Sequence, residues 1–169
     1  IIGPNGAGKT TFLDIITGKV KPTQGRVLFK GKNLRSLNEN QIAAQGVGRK
    51  FQTPRVYLNL TPRENLELSY NRRKDVIGTL FRSASVTEKR QVGELLDRIG
   101  LARKANMQAT LLSHGEKQWL EIGMVIAQNP DLLLVDEPVA GLTDAETEIT
   151  GELLISLAEK HSIIVIEHD

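Results

Sequence analysis

Eight residues near the start of the chain have the types and spacing of a phosphate-binding loop, G-x-x-x-x-G-K-T. Glycines let backbone N–H groups turn inward onto a phosphate, and the helix that follows points its positive dipole end at the same place. Lys9 adds a full charge for β- and γ-phosphates, and the Thr10 hydroxyl is placed to hold Mg²⁺. The residues predicted to bind the triphosphate are Gly3, Pro4, Asn5, Gly6, Ala7, Gly8, Lys9, Thr10 and Thr11.

Two apolar runs later in the chain end in residues that could act on a bound triphosphate. The run at 131–135 leads into Asp136 and Glu137, and the run at 162–166 is followed by His168. Ligands of open parallel sheets bind at the carboxyl ends of the strands. We therefore expect Asp136 to reach the Mg²⁺ shell through water and Glu137 to accept a proton from an attacking water. A ring N–H of His168 is expected to reach the γ-phosphate.

A third candidate segment precedes a helical pattern and consists of Ser113, His114, Gly115 and Glu116. Ser113 and Glu116 have the spacing of a capping box, which explains both residues without any ligand. Gly115 is not explained in this way, because glycine in a helix costs about 1 kcal/mol relative to alanine. Close approach to a second phosphate is one interpretation, and capping alone remains the alternative.

The elements that must position these residues alternate between strand and helix patterns. The pattern predicts an α/β fold with a mainly parallel core sheet, an antiparallel β edge around Lys30-Gly31 and an inserted helical subdomain. Residues 1–54 and 129–169 form the predicted core, and residues 55–128 the predicted insert. Strands are expected at 46–51, 131–135 and 162–166, and helices at 10–17, 38–45, 61–72, 87–99 and 143–160, with a loop at 71–85.

The composition narrows the class of protein. The chain has 169 residues, 40% of them hydrophobic and 25% charged, which suffices for one domain with a proper core. A net charge of +2 is too small to indicate a nucleic-acid surface, and the absence of cysteine excludes disulfides and thiolate sites. No apolar run reaches the length of a membrane span. Because the sequence begins inside a strand pattern and stops straight after another, we expect a piece of a longer subunit.

The phosphate loop, Gln52, L-S-H-G-E, L-L-L-V-D-E-P and E-H-D occur in the order and spacing of an ABC-transporter ATP-binding domain. In finer detail the chain resembles the ATPase subunits of urea importers, and the similar branched-chain amino-acid importers are the alternative. The resemblance implies ATP and Mg²⁺ as cofactors and a P-loop NTPase fold of ABC type. It also implies that Gln52 joins Thr10 and Asp136 as a metal ligand. Lys9, Gln52, Glu137 and His168 are then the catalytic set.

The resemblance further implies a head-to-tail pair of ATPase subunits, with each ATP between one phosphate loop and the partner's Ser113–Glu116 segment. The helical insert would contact membrane permease subunits at the cytoplasmic face of the membrane, with a solute-binding protein as an indirect partner and no nucleic acid. His114 and Glu116 depart from the usual L-S-G-G-Q, and Thr143 stands where many relatives carry Asp. The aromatic residue that stacks on adenine in the family is expected upstream of this sequence.

Three alternatives belong to other functional classes. A DNA-repair or chromosome-organising ABC ATPase would need a long coiled coil between Gln52 and Ser113, and the interval is too short. A ribosome-associated relative would carry two such domains in tandem, and the importer-like detail of the motifs argues against it. A nucleotide-gated binding module that hydrolyses nothing would have no use for the predicted base, Glu137.

Overall fold

A computed structural model describes residues 1–50, 56–71 and 86–167. Over these residues the chain forms six α-helices, five strands and three short 3₁₀ turns. The helices are α1 (Lys9–Ile16), α2 (Glu39–Ala44), α3 (Pro62–Asn71), α4 (Val86–Arg98), α5 (His114–Ile126) and α6 (Asp144–Ala158). The strands are β1 (Leu28–Phe29), β2 (Lys32–Asn33), β3 (Val47–Lys50), β4 (Leu132–Asp136) and β5 (Ser162–Ile166).

Strands β3, β4 and β5 form a parallel sheet in that order, and this confirms the predicted fold class. Val47 lies beside Leu132, which in turn lies beside Ser162. Ile2 makes a parallel bridge to Glu167, so the residues before the phosphate loop run alongside the end of β5. Because all four segments point the same way, the residues that follow them meet at one edge of the sheet.

The antiparallel pair β1–β2 turns at Lys30 and Gly31, which have φ values of 48° and 76°. These angles are those of a tight hairpin turn, in which both central residues take positive φ. The two strands are short, with two residues each. The helix predicted near residue 38 is present as α2, and its capping box between Asn38 and Gln41 is formed.

Strand β4 is buried on both faces, as its continuous apolar run predicts. On one face Leu133 and Val135 pack with residues of α3, α4, α5 and α6. On the other face Leu134 packs with Leu13 of α1 and Ile42 of α2. The helix of the phosphate loop and the later helices thus cover opposite faces of the strand that ends in Asp136.

Helices α5 and α6 are joined by a buried hydrogen bond. The indole N–H of Trp119 donates to Thr150 Oγ1 at 2.9 Å, and that hydroxyl donates to the carbonyl of Glu146 at 2.7 Å. Thr150 is fully buried, and Trp119 is 7% exposed. A buried N–H left without an acceptor loses its hydration with no compensation. The two helices are therefore fixed relative to each other by a polar contact as well as by packing.

We predict that Thr150→Val lowers the free energy of unfolding by about 1–3 kcal/mol, because the indole N–H loses its acceptor while the side-chain volume is kept. Trp119 is the only tryptophan of the sequence, so its emission during urea denaturation reports the change directly. Thr150→Ser, which retains the hydroxyl, is the matched control. A Ser variant less stable than the Val variant would contradict this assignment.

Candidate functional site

A cleft of about 320 Å³ opens at the carboxyl edge of the sheet, between the phosphate loop and the end of β4. It is lined by Asn5, Gly6, Ala7, Gly8, Lys9, Thr10, Thr11 and Glu137. Gly6 and Gly8 have φ values of 80° and 84°, which side chains other than glycine adopt only with strain. Gly8 is the N-cap of α1, so the loop presents a helix N-terminus to the cleft. Such an arrangement of backbone N–H groups suits an anion.

The Lys9 side chain lies back along the phosphate loop. Its ammonium donates to the carbonyl oxygens of Gly3 and Pro4, the latter at 3.1 Å, and the residue is 9% exposed. A lysine charge in this position is held at the wall of the cleft by acceptors that a phosphate could replace. Thr10 and Thr11 are exposed and line the same cleft.

Glu137 is placed on the cleft by a backbone conformation that is rare for its residue type. Its φ is 47°, in the left-handed region, and its N–H donates to the Ile166 carbonyl at 2.9 Å. A non-glycine residue in this region costs about 1–2 kcal/mol, and such positions cluster at functional sites. The turn continues with a hydrogen bond from Ala140 N–H to the Glu137 carbonyl at 3.3 Å.

Arg49 joins the phosphate-loop helix to the end of β4. Its guanidinium contacts Asp14 of α1 at 2.5 Å and Asp136 Oδ2 at 3.1 Å. The Arg49 side chain is 6% exposed and the Asp136 side chain 1% exposed, so both charges are buried and paired. The second oxygen, Asp136 Oδ1, is buried and has no hydrogen-bond partner among the described residues.

Lys50 follows Arg49 and points to the opposite face of β3, as strand geometry requires. It is fully buried, and its ammonium donates to Gln118 Oε1 at 3.1 Å. Burial lowers the pKa of Lys50, while the nearby charges of Glu121, Asp136, Glu167 and Glu137 act to raise it. A cation and carboxylates therefore stabilise one another at the edge of the sheet next to the cleft.

The Ser113–Glu116 segment begins α5 and forms the capping box that its spacing predicts. Glu116 Oε2 accepts from the Ser113 N–H at 2.9 Å, and Oε1 forms an ion pair with Lys104 at 2.5 Å. Both Glu116 oxygens are thus engaged within the chain. None of the four residues of the segment lines the cleft of its own chain.

Gly115 has a structural reason that the sequence did not reveal. A Cβ at this position would lie 2.6 Å from Oε1 of Glu146, so a contact within the chain gives the glycine a reason besides the second phosphate that the sequence suggests. Glu146 caps α6 by accepting from the Thr143 N–H at 3.1 Å, and it accepts from the Ser113 hydroxyl at 3.2 Å. The contacts to Thr143 hold the pKa of Glu146 below its usual range.

Two of the predicted catalytic residues, Gln52 and His168, lie outside the described residues. Conversely, the sequence reasoning gave no role to Arg49, Lys50 or Gln118, which hold the carboxylates and the start of α5 in place. The sequence does contain a signal for these roles: Arg49 and Lys50 end one strand pattern, and the later strand patterns lead into acidic residues.

No group of three or more metal-binding His, Asp or Glu side chains occurs among residues 1–50, 56–71 and 86–167. Over these same ranges, no helix combines the length and apolarity of a membrane span.

We predict that Arg49→Met lowers the free energy of unfolding by about 3–5 kcal/mol, because it leaves Asp136 buried without its cation. Lys19 is the matched control, since it pairs with the same Asp14 at 3.4 Å but is 56% exposed. Lys19→Met should cost less than about 1 kcal/mol. If both variants lost the same free energy of unfolding in urea denaturation, the buried Arg49–Asp136 pair would contribute no more to stability than the exposed Lys19–Asp14 pair.

Comparison with known proteins shows the family of the chain. The family model described as ABC transporter matches residues 1–140. The high-affinity branched-chain amino-acid transport ATP-binding protein LivG of Escherichia coli K12 is 39% identical, over all of this chain and 70% of its own length. BraF of Pseudomonas aeruginosa, with the same description, is 34% identical over the same shares.

Two solved structures extend the likeness to the whole architecture. MJ1267, an ATP-binding cassette of an ABC transporter in its ADP conformation, has a TM-score of 0.83 at 29% identity, covering 99% of this chain and 68% of that chain. A dimeric post-hydrolysis state of the cassette MJ0796 with ADP and Pi has a TM-score of 0.79 at 29% identity, covering 99% and 73%. From its fold, its phosphate loop and these likenesses, the chain belongs to the ABC transporter family as one of its ATP-binding ATPase subunits.

Proposed function

We propose that the chain hydrolyses ATP in the cleft between the phosphate loop and Glu137, and that hydrolysis powers the uptake of branched-chain amino acids. The observation that carries the proposal is that a helix N-terminus, Lys9 and a carboxylate line one cleft. The first two bind a triphosphate, and the third is in reach of a water on the γ-phosphate side.

Each residue of the cleft has a distinct role in this proposal. The backbone N–H groups of the phosphate loop and Lys9 bind the β- and γ-phosphates, with the phosphates taking the place of the carbonyl oxygens that Lys9 now contacts. Glu137 accepts a proton from the attacking water as the water oxygen bonds to the γ-phosphorus. The bond between that phosphorus and the bridging oxygen breaks, and ADP leaves with the electron pair.

The residues present fit a bound Mg²⁺. Asp136 Oδ1 is a buried carboxylate oxygen without a partner among the described residues, and Mg²⁺ takes such oxygens directly or through water. Thr10, Asp136 and Gln52 would hold the ion, which supplies positive charge to the phosphate oxygens when it is bound. Arg49 fixes the direction of the Asp136 carboxylate by occupying its other oxygen. His168 is proposed to hold the γ-phosphate in line with the water.

A second copy of an ATPase subunit completes the site in this proposal. Ser113, His114, Gly115 and Glu116 lie outside the cleft of their own chain and would face the nucleotide of the partner. The similarity to a cassette solved as a dimer with ADP and Pi supports the pairing. We further propose that residues 55–128 act as the helical insert that contacts permease subunits at the cytoplasmic face of the membrane. A solute-binding protein would then be an indirect partner.

The relatives favour branched-chain amino acids over urea as the solute. LivG and BraF, at 39% and 34% identity, are both described as branched-chain amino-acid transport subunits, so the alternative raised by the sequence fits better than the urea reading. The solute itself contacts other subunits, and the cassette supplies the energy. The proposal for the solute therefore needs a transport measurement as its test.

In the intact subunit, Glu137→Gln should retain ATP binding and lower turnover by about 10²- to 10⁴-fold, because the proton acceptor is lost while shape is kept. Lys9→Ala is the contrasting control and should abolish ATP binding, since it removes charge from the bound ground state. Steady-state hydrolysis and equilibrium binding of ATP measure the two effects separately. Near-normal turnover in the Glu137 variant would overturn the assignment of the base.

For the solute, we expect membrane vesicles carrying the intact subunit with its own permease and binding proteins to accumulate labelled leucine when ATP is supplied. An excess of unlabelled isoleucine or valine should compete, and an excess of urea should not. Vesicles with the Glu137→Gln subunit are the matched control for uptake without hydrolysis. ATP-driven accumulation of labelled urea, without that of leucine, would contradict the proposal and restore the other solute.

A further inference from the structure

A buried amide at the centre of three segments carries an inference that goes beyond the hydrolysis site. Gln118 of α5 is 1% exposed, and its Oε1 accepts from the Lys50 ammonium at 3.1 Å. Its Nε2 lies 3.1 Å from the Ala140 carbonyl oxygen and 2.9 Å from Nε2 of His114. One side chain thus contacts the end of β3, the start of α5 and the turn that follows Glu137.

The partners of the Gln118 amide determine which of its ends is the oxygen and which is the NH₂ group. An ammonium can only donate a hydrogen bond, and a backbone carbonyl can only accept one. The amide oxygen must therefore face Lys50, and the amide NH₂ must face Ala140. The reverse orientation would place NH₂ against a buried cation and oxygen against oxygen, and each buried clash of this kind is costly.

The state of His114 follows from the orientation of Gln118. The NH₂ group has two hydrogens, one for Ala140 and one for His114, so Nε2 of His114 must present a lone pair. In the neutral ring the proton then resides on Nδ1, because the partner of one ring nitrogen determines which nitrogen is protonated. Within the described residues Nδ1 makes no hydrogen bond, and His114 is exposed.

We propose that Gln118 is a positioning residue, oriented by Lys50, which holds His114 as the Nδ1–H tautomer and ties it to the turn carrying Glu137. The exposed Nδ1–H is then a neutral donor for an oxygen acceptor. Resting on the proposed function, that acceptor is a phosphate oxygen of the nucleotide held by a second copy of the chain. A movement of the Glu137 turn would be transmitted to His114 through the Ala140 carbonyl.

The test of the tautomer is two-bond ¹H–¹⁵N correlation on the intact subunit labelled with ¹⁵N-histidine, at about pH 8–9, where an ordinary imidazole is neutral. The His114 signals are assigned by their loss in His114→Asn. We expect the Nδ1–H pattern for His114 in the natural protein, and a change to a mainly Nε2–H pattern in Gln118→Met, which cannot donate. An Nε2–H pattern in the natural protein would overturn the proposal.

The tautomer test includes an internal control, His161, and a second variant of Gln118. His161 is an internal control, since its Nδ1 lies 2.6 Å from the Pro130 carbonyl and must donate to it, so its pattern should stay unchanged in every variant. Gln118→Glu keeps the shape if the Met variant folds poorly, and its carboxylate should accept from Nε2–H of His114 and give the same inversion. An unchanged His114 pattern in a folded Gln118→Glu variant would also refute the proposal that Gln118 fixes the His114 tautomer.

Kinetics test the positioning role separately from the tautomer. In the intact subunit Gln118→Met should lower kcat for ATP hydrolysis about tenfold at an unchanged KM. The reason is that His114 and the turn carrying Glu137, which Gln118 holds, act on ATP that the phosphate loop has already bound. A loss of stability with unchanged kcat would show that Gln118 only packs the helix. If the intact natural subunit did not hydrolyse ATP while the tautomer result held, the proposed function would fail and the role of Gln118 in fixing the His114 tautomer would stand.

Discussion

The site depends on charge compensation at the carboxyl edge of the parallel sheet. Asp136 ends β4, Glu137 follows it and Glu167 follows β5; Asp136 is buried, and a buried carboxylate without a partner would cost several kcal/mol. Arg49 and Lys50 supply the compensating cations from the neighbouring strand, one on each face of the sheet. Because consecutive residues of a strand point to opposite faces, a single dipeptide serves both the phosphate-loop side and the α5 side.

On the phosphate-loop side the compensation has a direct consequence for binding. Arg49 bridges Asp14 and Asp136, so the helix that presents the loop and the strand that presents the carboxylates are held together by one buried guanidinium. Only one oxygen of Asp136 is used in this bridge. The remaining oxygen is available to the magnesium ion that we propose, and the aim of the carboxylate does not depend on the nucleotide being bound.

On the α5 side the compensation organises polar groups that have no charge of their own. Lys50 orients Gln118, and Gln118 contacts both His114 and the turn after Glu137. A neighbouring contact, between Glu146 and Ser113, joins the start of α6 to the start of α5 and places Oε1 of Glu146 2.6 Å from where a Cβ at Gly115 would lie. The start of α5 is therefore set by groups from three other elements, which suits a segment that we propose acts on a second subunit's nucleotide.

The sequence by itself determined the local features, because each rests on residues close together in the chain. The glycine spacing of the phosphate loop, the apolar run of β4 and the capping boxes at Asn38 and Ser113 are such features, and all appear in the structure. The parallel sheet followed from the alternation of strand and helix patterns. Only the tertiary structure decided which cations meet the carboxylates, why Gly115 is glycine and how Gln118 joins three segments. Apart from the contact of Gln118 with His114, four residues away on the same helix, these contacts span from 22 to 87 residues of sequence, and buried charge pairing selects them without leaving any local periodicity to read.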